Sequence, residues 1–261
     1  MKILFLTQDD PLYILPFFEE FLVHYADRFE IRGVFCSRAM GKRGRLQMAR
    51  ELASLYGTLG FARLATRVLV AKLRGRLPAD RNTRRFHSLA QLCTAFDIPC
   101  VPMGNPNSPE CVEAARRAGA DLIVSVACPY LLKEPMLNLA PQGCVNIHHA
   151  PLPRFKGMMP TFWQMFHGET KVGVTVHQVV AELDEGPALL QESLAIDPGE
   201  TLDHLIRRSK RHGAHCVARA LGEIEAGTAR AVPLDHSQGS YFTFPTIAEI
   251  AAWRRKGFRA I

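Results

Sequence analysis

No apolar run in the 261-residue chain reaches the roughly 18 to 20 residues that a membrane-spanning helix needs. The first fifteen residues, MKILFLTQDDPLYIL, carry Asp9 and Asp10 where a signal peptide would be uncharged, so the sequence predicts a soluble, cytoplasmic protein. No Cys-x-x-Cys pair occurs, and no Cys/His spacing typical of structural zinc. The seven cysteines, an odd number scattered through apolar segments, read as reduced core thiols, and no metal is expected. No G-x-G-x-x-G follows the first strand, which sets aside a dinucleotide-binding hydride transferase. Internal repeats, low-complexity tracts and Pro- or Gly-rich linkers are also missing. With 48% hydrophobic and 22% charged residues, the chain is a globular protein with one substantial core.

Acidic residues are scarce in one place. Between Lys42 and Arg85 twelve Lys/Arg face only Glu51 and Asp80, so the net charge of +7 belongs to this segment, and the rest of the chain is slightly acidic. Leu46, Ala49, Ala53, Tyr56, Leu64, Val68 and Ala71 recur near helical spacing within it, which predicts an amphipathic helix or helix pair broken near Gly57 and Gly60. A solvated basic face over an apolar stripe is the plain reading. A surface for an anionic substrate, RNA or an acidic membrane is the sharper one.

Elsewhere short apolar runs alternate with helical patterns, the mark of βαβ units. Strands are predicted at Lys2–Thr7, Phe29–Ser37, Cys100–Met103, Asp121–Cys128, Cys144–His148, Val172–Val180 and Ala188–Ile196, with the sixth alternating like a half-exposed strand. Helices are predicted at Leu12–Ala26 (starting nearer Pro16 because of the proline), His87–Phe96, Pro109–Gly119 behind a Ser108 cap, Thr161–His167 and Thr201–Ala226. The aromatic-rich stretch holding Tyr241, Phe242, Phe244 and Trp253 reads as a tail strapped onto the body. The fold class is therefore α/β, Rossmann-like with a mostly parallel sheet. Residues 1–200 would form the catalytic domain, with a basic helical insertion at 40–86, and residues 201–261 a helix and tail packed on it.

The stretch from Asn146 to Gly157, NIHHAPLPRFKG, carries the chemistry. Strand alternation puts Asn146 and His148 on one face, near the carboxyl end where open α/β sheets bind ligands. Downstream, Glu182, Leu183, Asp184, Glu185 and Gly186 form a turn after the Val174–Val180 run. An amide, an imidazole and a carboxylate brought together can stabilise an oxyanion and move a proton, as acyl transfer requires. His149 points to the opposite face and reads as structural, whereas His177 fits a cleft position and a core position equally.

The pattern N-x-H, a proline-rich loop, and an L-D-x-G turn 36 residues after the histidine resembles the folate-dependent formyltransferases, the group of glycinamide ribonucleotide, methionyl-tRNA and sugar-amine enzymes. The resemblance runs from Leu122 to Ile196. It implies a catalytic set of Asn146, His148 and Asp184, the first binding the formyl oxygen and the pair assisting proton loss from the attacking amine. It also implies 10-formyltetrahydrofolate as co-substrate, its pterin lying against Pro129, Tyr130, Leu131 and Leu132 and the turn Val180, Ala181 and Glu182.

Departures from the family pattern narrow the acceptor. After the histidine the usual Ser-Leu-Leu-Pro is Ala150-Pro151-Leu152-Pro153, with Pro153 kept in register on the substrate side. Where the glycinamide ribonucleotide enzymes carry a glycine-rich phosphate loop, this chain has Gln8-Asp9-Asp10-Pro11, which suits a cationic amine or sugar hydroxyls rather than phosphate. The chain opens directly on the first strand, without the amino-terminal domain of formyltetrahydrofolate hydrolases, and the stretch after Ile196 is too short for the barrel of the tRNA enzymes. The leading expectation is formyl transfer to a small amine, an amino sugar nucleotide or an amino-acid-derived amine. Formylation of initiator tRNA, with the basic insertion binding RNA, is the alternative. A non-catalytic membrane- or partner-binding protein on the same fold is a third reading, disfavoured by the intact catalytic set. A homodimer is compatible with the sequence, which leaves the oligomeric state open.

Overall fold

The computed structural model describes residues 1–38 and 44–261, so Lys42 and Arg43 of the basic segment lie outside the described residues. In chain order the elements are β1 (Lys2–Asp9), α1 (Leu15–Tyr25), β2 (Glu30–Arg38), α2 (Arg45–Arg74), α3 (Leu89–Ala95), β3 (Cys100–Met103), α4 (Pro109–Ala118), β4 (Leu122–Val126), α5 (Glu134–Leu137), β5 (Cys144–His148), β6 (Lys156–Gly157), α6 (Pro160–Phe166), β7 (Lys171–Gln178), β8 (Ala188–Ala195), α7 (Leu202–Glu225), β9 (Tyr241–Phe242) and α8 (Ile247–Arg255). Seven strands form one sheet in the order β3-β2-β1-β4-β5-β7-β8. The first five are mutually parallel, and β7 joins β5 and β8 antiparallel. The mostly parallel α/β architecture read from the alternation of patterns is thus present. Among the described residues no helix is long and apolar enough to cross a membrane.

The largest core cluster lies on the sheet face covered by α1 and α7. Phe5 of β1 meets Phe18 and Phe21 of α1 edge to edge, with centroids 5.3 and 5.2 Å apart. Burying each such ring contributes about 1.5–3 kcal/mol, and the edge-to-face arrangement adds to it. Pro16 sits in the first turn of α1, where a missing N–H costs nothing, so the helix starts at Leu15 as the proline dictates. Ser88, Ser108 and Thr201 cap α3, α4 and α7 by accepting from Gln91, Cys111 and His204 backbone N–H groups.

Three expectations need correction. The run read as half-exposed, β7, is buried throughout from Val172 to His177, because β5 and β8 flank it and α6 and α7 pack on it. The cysteines are all free, but only Cys93, Cys144 and Cys216 are buried, and the other four are partly exposed. The tail is more than a strap: it contributes β9, paired to β6, and α8, whose Thr246/Glu249 capping box is visible in the sequence as T-x-x-E.

The basic segment forms two helical stretches within α2, broken as expected at Gly57, whose φ of 70° and ψ of 172° only glycine adopts without strain. A polar network joins α2 to the body. Tyr56 bonds Tyr13 hydroxyl to hydroxyl at 2.6 Å, Tyr13 donates to Asp203, and Arg67 and Arg207 pair with the same buried carboxylate at 2.9 and 2.8 Å. Burial and the neighbouring carboxylate push the Tyr13 phenol far up, and burial pushes Tyr56 up to about 12, so both stay protonated. From α8, Arg254 donates to the Ser54 and Leu55 carbonyls beside the bend.

Candidate active site

Antiparallel pairing sets Asn146 against His177 and His148 against Thr175, so these four side chains share one sheet face. The segment after β7 folds back over that face. Gln178 N–H donates to Pro187 O at 3.0 Å, and a Cβ on Gly186 would lie 1.8 Å from Gln178 O, so the L-D-x-G turn closes only with glycine there. Asp184, at φ 55°, is thereby aimed inward, and Gly157 N–H donates to its Oδ2 at 3.3 Å. Gly157 itself packs where a Cβ would strike Phe242 O at 2.3 Å, which is how β9 fixes this wall.

The histidine nitrogens can be assigned from their partners. His148 Nε2 lies 2.9 Å from Phe155 O and must donate, which leaves Nδ1 as the proton-accepting nitrogen, 3.6 Å from Asp184 Oδ2. His177 Nδ1 lies 2.9 Å from Gln178 O and donates there, so its Nε2 carries the lone pair. The Asn146 amide nitrogen therefore donates to His177 Nε2 at 3.1 Å. Burial pulls His177 down to about 4, against the opposing pull of Asp184 3.7 Å away, so the ring is neutral and remains an acceptor. One N–H of Asn146 is thus engaged, and the other is aimed by it.

His149 is buried with neither ring nitrogen hydrogen-bonded among the described residues, packed where a Cβ on Gly213 of α7 would lie 2.9 Å from its ring. Burial holds its pKa well below the ordinary value, so it packs as a neutral aromatic.

Asn146, His148, Asp184 and His177 open into a cleft of about 1900 Å³. Of the other residues singled out in the sequence, Pro129, Tyr130, Leu131, Leu132, Glu182, Asp9 and Asp10 line it. Val180, Ala181 and Pro153 do not: the Pro153 carbonyl accepts from Ser240 N–H, and the residues facing the cleft on the turn are Val179, Glu182 and Leu183. Asp10 is turned partly to its own backbone, its Oδ1 accepting from Leu12 and Tyr13 N–H groups as an Asx turn. Burial raises the pKa of both aspartates, with Lys72 of α2 opposing it at Asp9 and Lys210 of α7 at Asp10.

Other residues at or beside the cleft carry no site signal in the sequence. Lys210 is a deeply set ammonium that burial pulls down to about 8. Asn107 brackets the loop at 131–133, its amide nitrogen donating to Leu131 O at 2.9 Å and its oxygen accepting from Lys133 N–H at 2.7 Å. Met48, Leu52, Tyr56, Leu64 and Val68 make α2 a wall of the same cleft. The one group of described residues with metal-ligand geometry, Glu192, His212 and Cys216, lies off the cleft, and Arg219 and His212 already pair with that glutamate.

Residues 97–221 match the model of the formyl transferase family. A methionyl-tRNA formyltransferase of Syntrophus aciditrophicus (strain SB) is 36% identical over 148 residues, covering 57% of this chain and 47% of that protein. The chain spans about half the length of the curated relatives it matches. Among solved structures, glycinamide ribonucleotide transformylase 1 from Symbiobacterium toebii superposes with a TM-score of 0.59 at 18% identity, over 90% of this chain and 94% of that one. A formyltransferase from Anoxybacillus kamchatkensis, in complex with a UDP-linked formamido sugar and tetrahydrofolate, superposes with a TM-score of 0.50 at 17% identity, over 93% and 85%. The two structures share the fold. The family match spans Asn146, His148 and Asp184, and the curated relatives agree with it, so the comparisons support a place for this chain among the formyl transferases.

Proposed function

We propose that the protein transfers a formyl group from 10-formyltetrahydrofolate to a primary amine of a small substrate, an amino sugar nucleotide or an amino-acid-derived amine. The observation that carries this reading is the fixed amide of Asn146: with one N–H held by neutral His177, the other is a preorganised donor for a developing oxyanion. As the amine attacks, the formyl oxygen gains charge and accepts that N–H. The amine nitrogen must then lose a proton. His148 Nδ1, the ring nitrogen that carries the lone pair, faces Asp184, so a proton arriving there is held between imidazole and carboxylate. The new amide C–N bond forms, the bond from the formyl carbon to folate N10 breaks, and N10 takes up a proton.

The groove beside this set suits a pterin. Leu131 and Leu183 are large apolar side chains left 49% and 46% exposed at the cleft, flat apolar surface for a bicyclic ring. Asn107 fixes the adjoining backbone so that its polar groups can read the ring edge. For the acceptor, carboxylates at Asp9 and Asp10 and the ammonium of Lys210 supply hydrogen bonds of both kinds to a polar, amine-bearing molecule.

A second reading is methionyl-tRNA formylation, favoured by the curated relatives and by the exposed basic residues of α2. Salt separates the two. RNA binding through six or more cations weakens about 10³-fold or more between 50 and 200 mM salt, whereas a small amine's KM hardly changes. The test of the main reading is a panel of amines incubated with 10-formyltetrahydrofolate, following tetrahydrofolate release. Release that requires an amine supports transfer, amine-independent release makes the enzyme a hydrolase, and failure to bind any folate ends the reading.

A further inference from the structure

The two faces of α2 after Gly57 differ. Its inner stripe, Leu64, Val68 and Ala71, lines the cleft. Its outer stripe at helical spacing, Leu59, Leu69, Val70 and Leu73, faces solvent, with Leu59 86% and Leu69 and Leu73 each 58% exposed. Leu77, just beyond the helix, is exposed as well. Arg63 and Arg74 flank this stripe at helical spacing and Arg76 follows, all three exposed and none with a carboxylate partner among the described residues.

We propose that this outer face docks on an anionic lipid bilayer, placing the cleft one helix diameter, about 10–12 Å, from the membrane surface. Neither feature alone specifies the occupant, but together they do. Bare arginines ask for an anionic partner, and leucines between them are of use only to one with an apolar interior, which separates a bilayer from RNA. A second copy of the chain would bring the same uncompensated cations together, which like-charge repulsion opposes. The helix is well enough anchored for the purpose, through Arg67–Asp203, Tyr56–Tyr13 and the Arg254 bonds, without using any residue of the outer face. The inference is independent of the identity of the acceptor and of formyl transfer itself.

The test is co-sedimentation of the full chain with phosphatidylglycerol and with phosphatidylcholine vesicles, in parallel with gel shift on total tRNA and light scattering for mass. The expected result is binding to phosphatidylglycerol and not phosphatidylcholine, weakened by salt. The double substitution Leu69→Glu/Leu73→Glu should lower binding by about 100-fold, the loss expected from two leucines that no longer leave water. Its thermal melt and its turnover of 10-formyltetrahydrofolate with a soluble amine should remain those of the wild type. Absence of vesicle binding by the wild type overturns the proposal. So does equal binding by the double variant, tRNA binding without vesicle binding, or a wild-type dimer that the substitutions split.

Discussion

On the β5–β7 side of the cleft, His148, His177 and Asp184 are less than a tenth exposed and every ring nitrogen has a partner, whereas on the outer side of α2 Arg63, Arg74 and the leucines beside them stand in solvent, the arginines without a carboxylate partner among the described residues. Both walls border one cavity, yet the first is fixed by short polar contacts in low dielectric and the second by a few anchors to the body. Preorganisation belongs where charge develops in the reaction, since a donor that must first reorient contributes little to the transition state. Adaptability belongs where partners differ. The proposed chemistry and the proposed membrane docking rest on separate elements, so substitutions can test each without the other.

The largest effect should follow Asp184→Asn, which leaves the shape of the turn but removes the charge opposite His148 Nδ1. Turnover should fall by about 10² to 10⁴, the usual worth of a positioned proton acceptor, with folate binding retained in equilibrium titration. On the α2 side, Asp203→Asn leaves Arg67 and Arg207 short of their buried carboxylate and should cost about 3–5 kcal/mol in urea unfolding. His177→Leu removes one hydrogen bond to Asn146, worth about 0.5–1.5 kcal/mol, so kcat should drop by up to about tenfold with KM for the amine little changed. A larger loss in KM than in kcat would mean that His177 touches substrate instead.

The pH dependence separates the walls further. Burial lowers His177 from its ordinary 6.5 to about 4, so between those values the unfolded chain binds a proton that the folded chain refuses. Stability should therefore be full above about pH 6.5 and fall as the pH drops towards 4, by about 3 kcal/mol from this residue, and His149 should add to the loss in the same direction. Urea titrations at stepped pH check this, and His177→Leu should flatten the slope. At the small end, Leu69→Ala should change stability by no more than about 0.5 kcal/mol, as an exposed position does.

That Asn146 and His148 share a face was legible from a strand's period of two, whereas Asp184, 36 residues on, joined them in the sequence reading only through the family resemblance. His177 was not, since its value depends on register: only the antiparallel pairing with β5 sets it against Asn146. The burial of β7 was hidden for the same reason, its neighbours on both edges being distant in sequence. Asn107 acts on a loop 24 residues away, and no local pattern announces that. The charge of α2 could be counted and its break near Gly57 read from the glycine, but that its apolar stripe would line the cleft depended on anchors such as Asp203, a tertiary fact.

The central claim is that Asn146 supplies the oxyanion donor of a formyl transfer. Its most direct test is the single-turnover rate of 10-formyltetrahydrofolate consumption by wild type and Asn146→Ala, saturated with folate and an accepted amine. Losing the donor should lower that rate by about 10² to 10³, with unchanged folate affinity and melting temperature. A variant that turns over at the wild-type rate would contradict it.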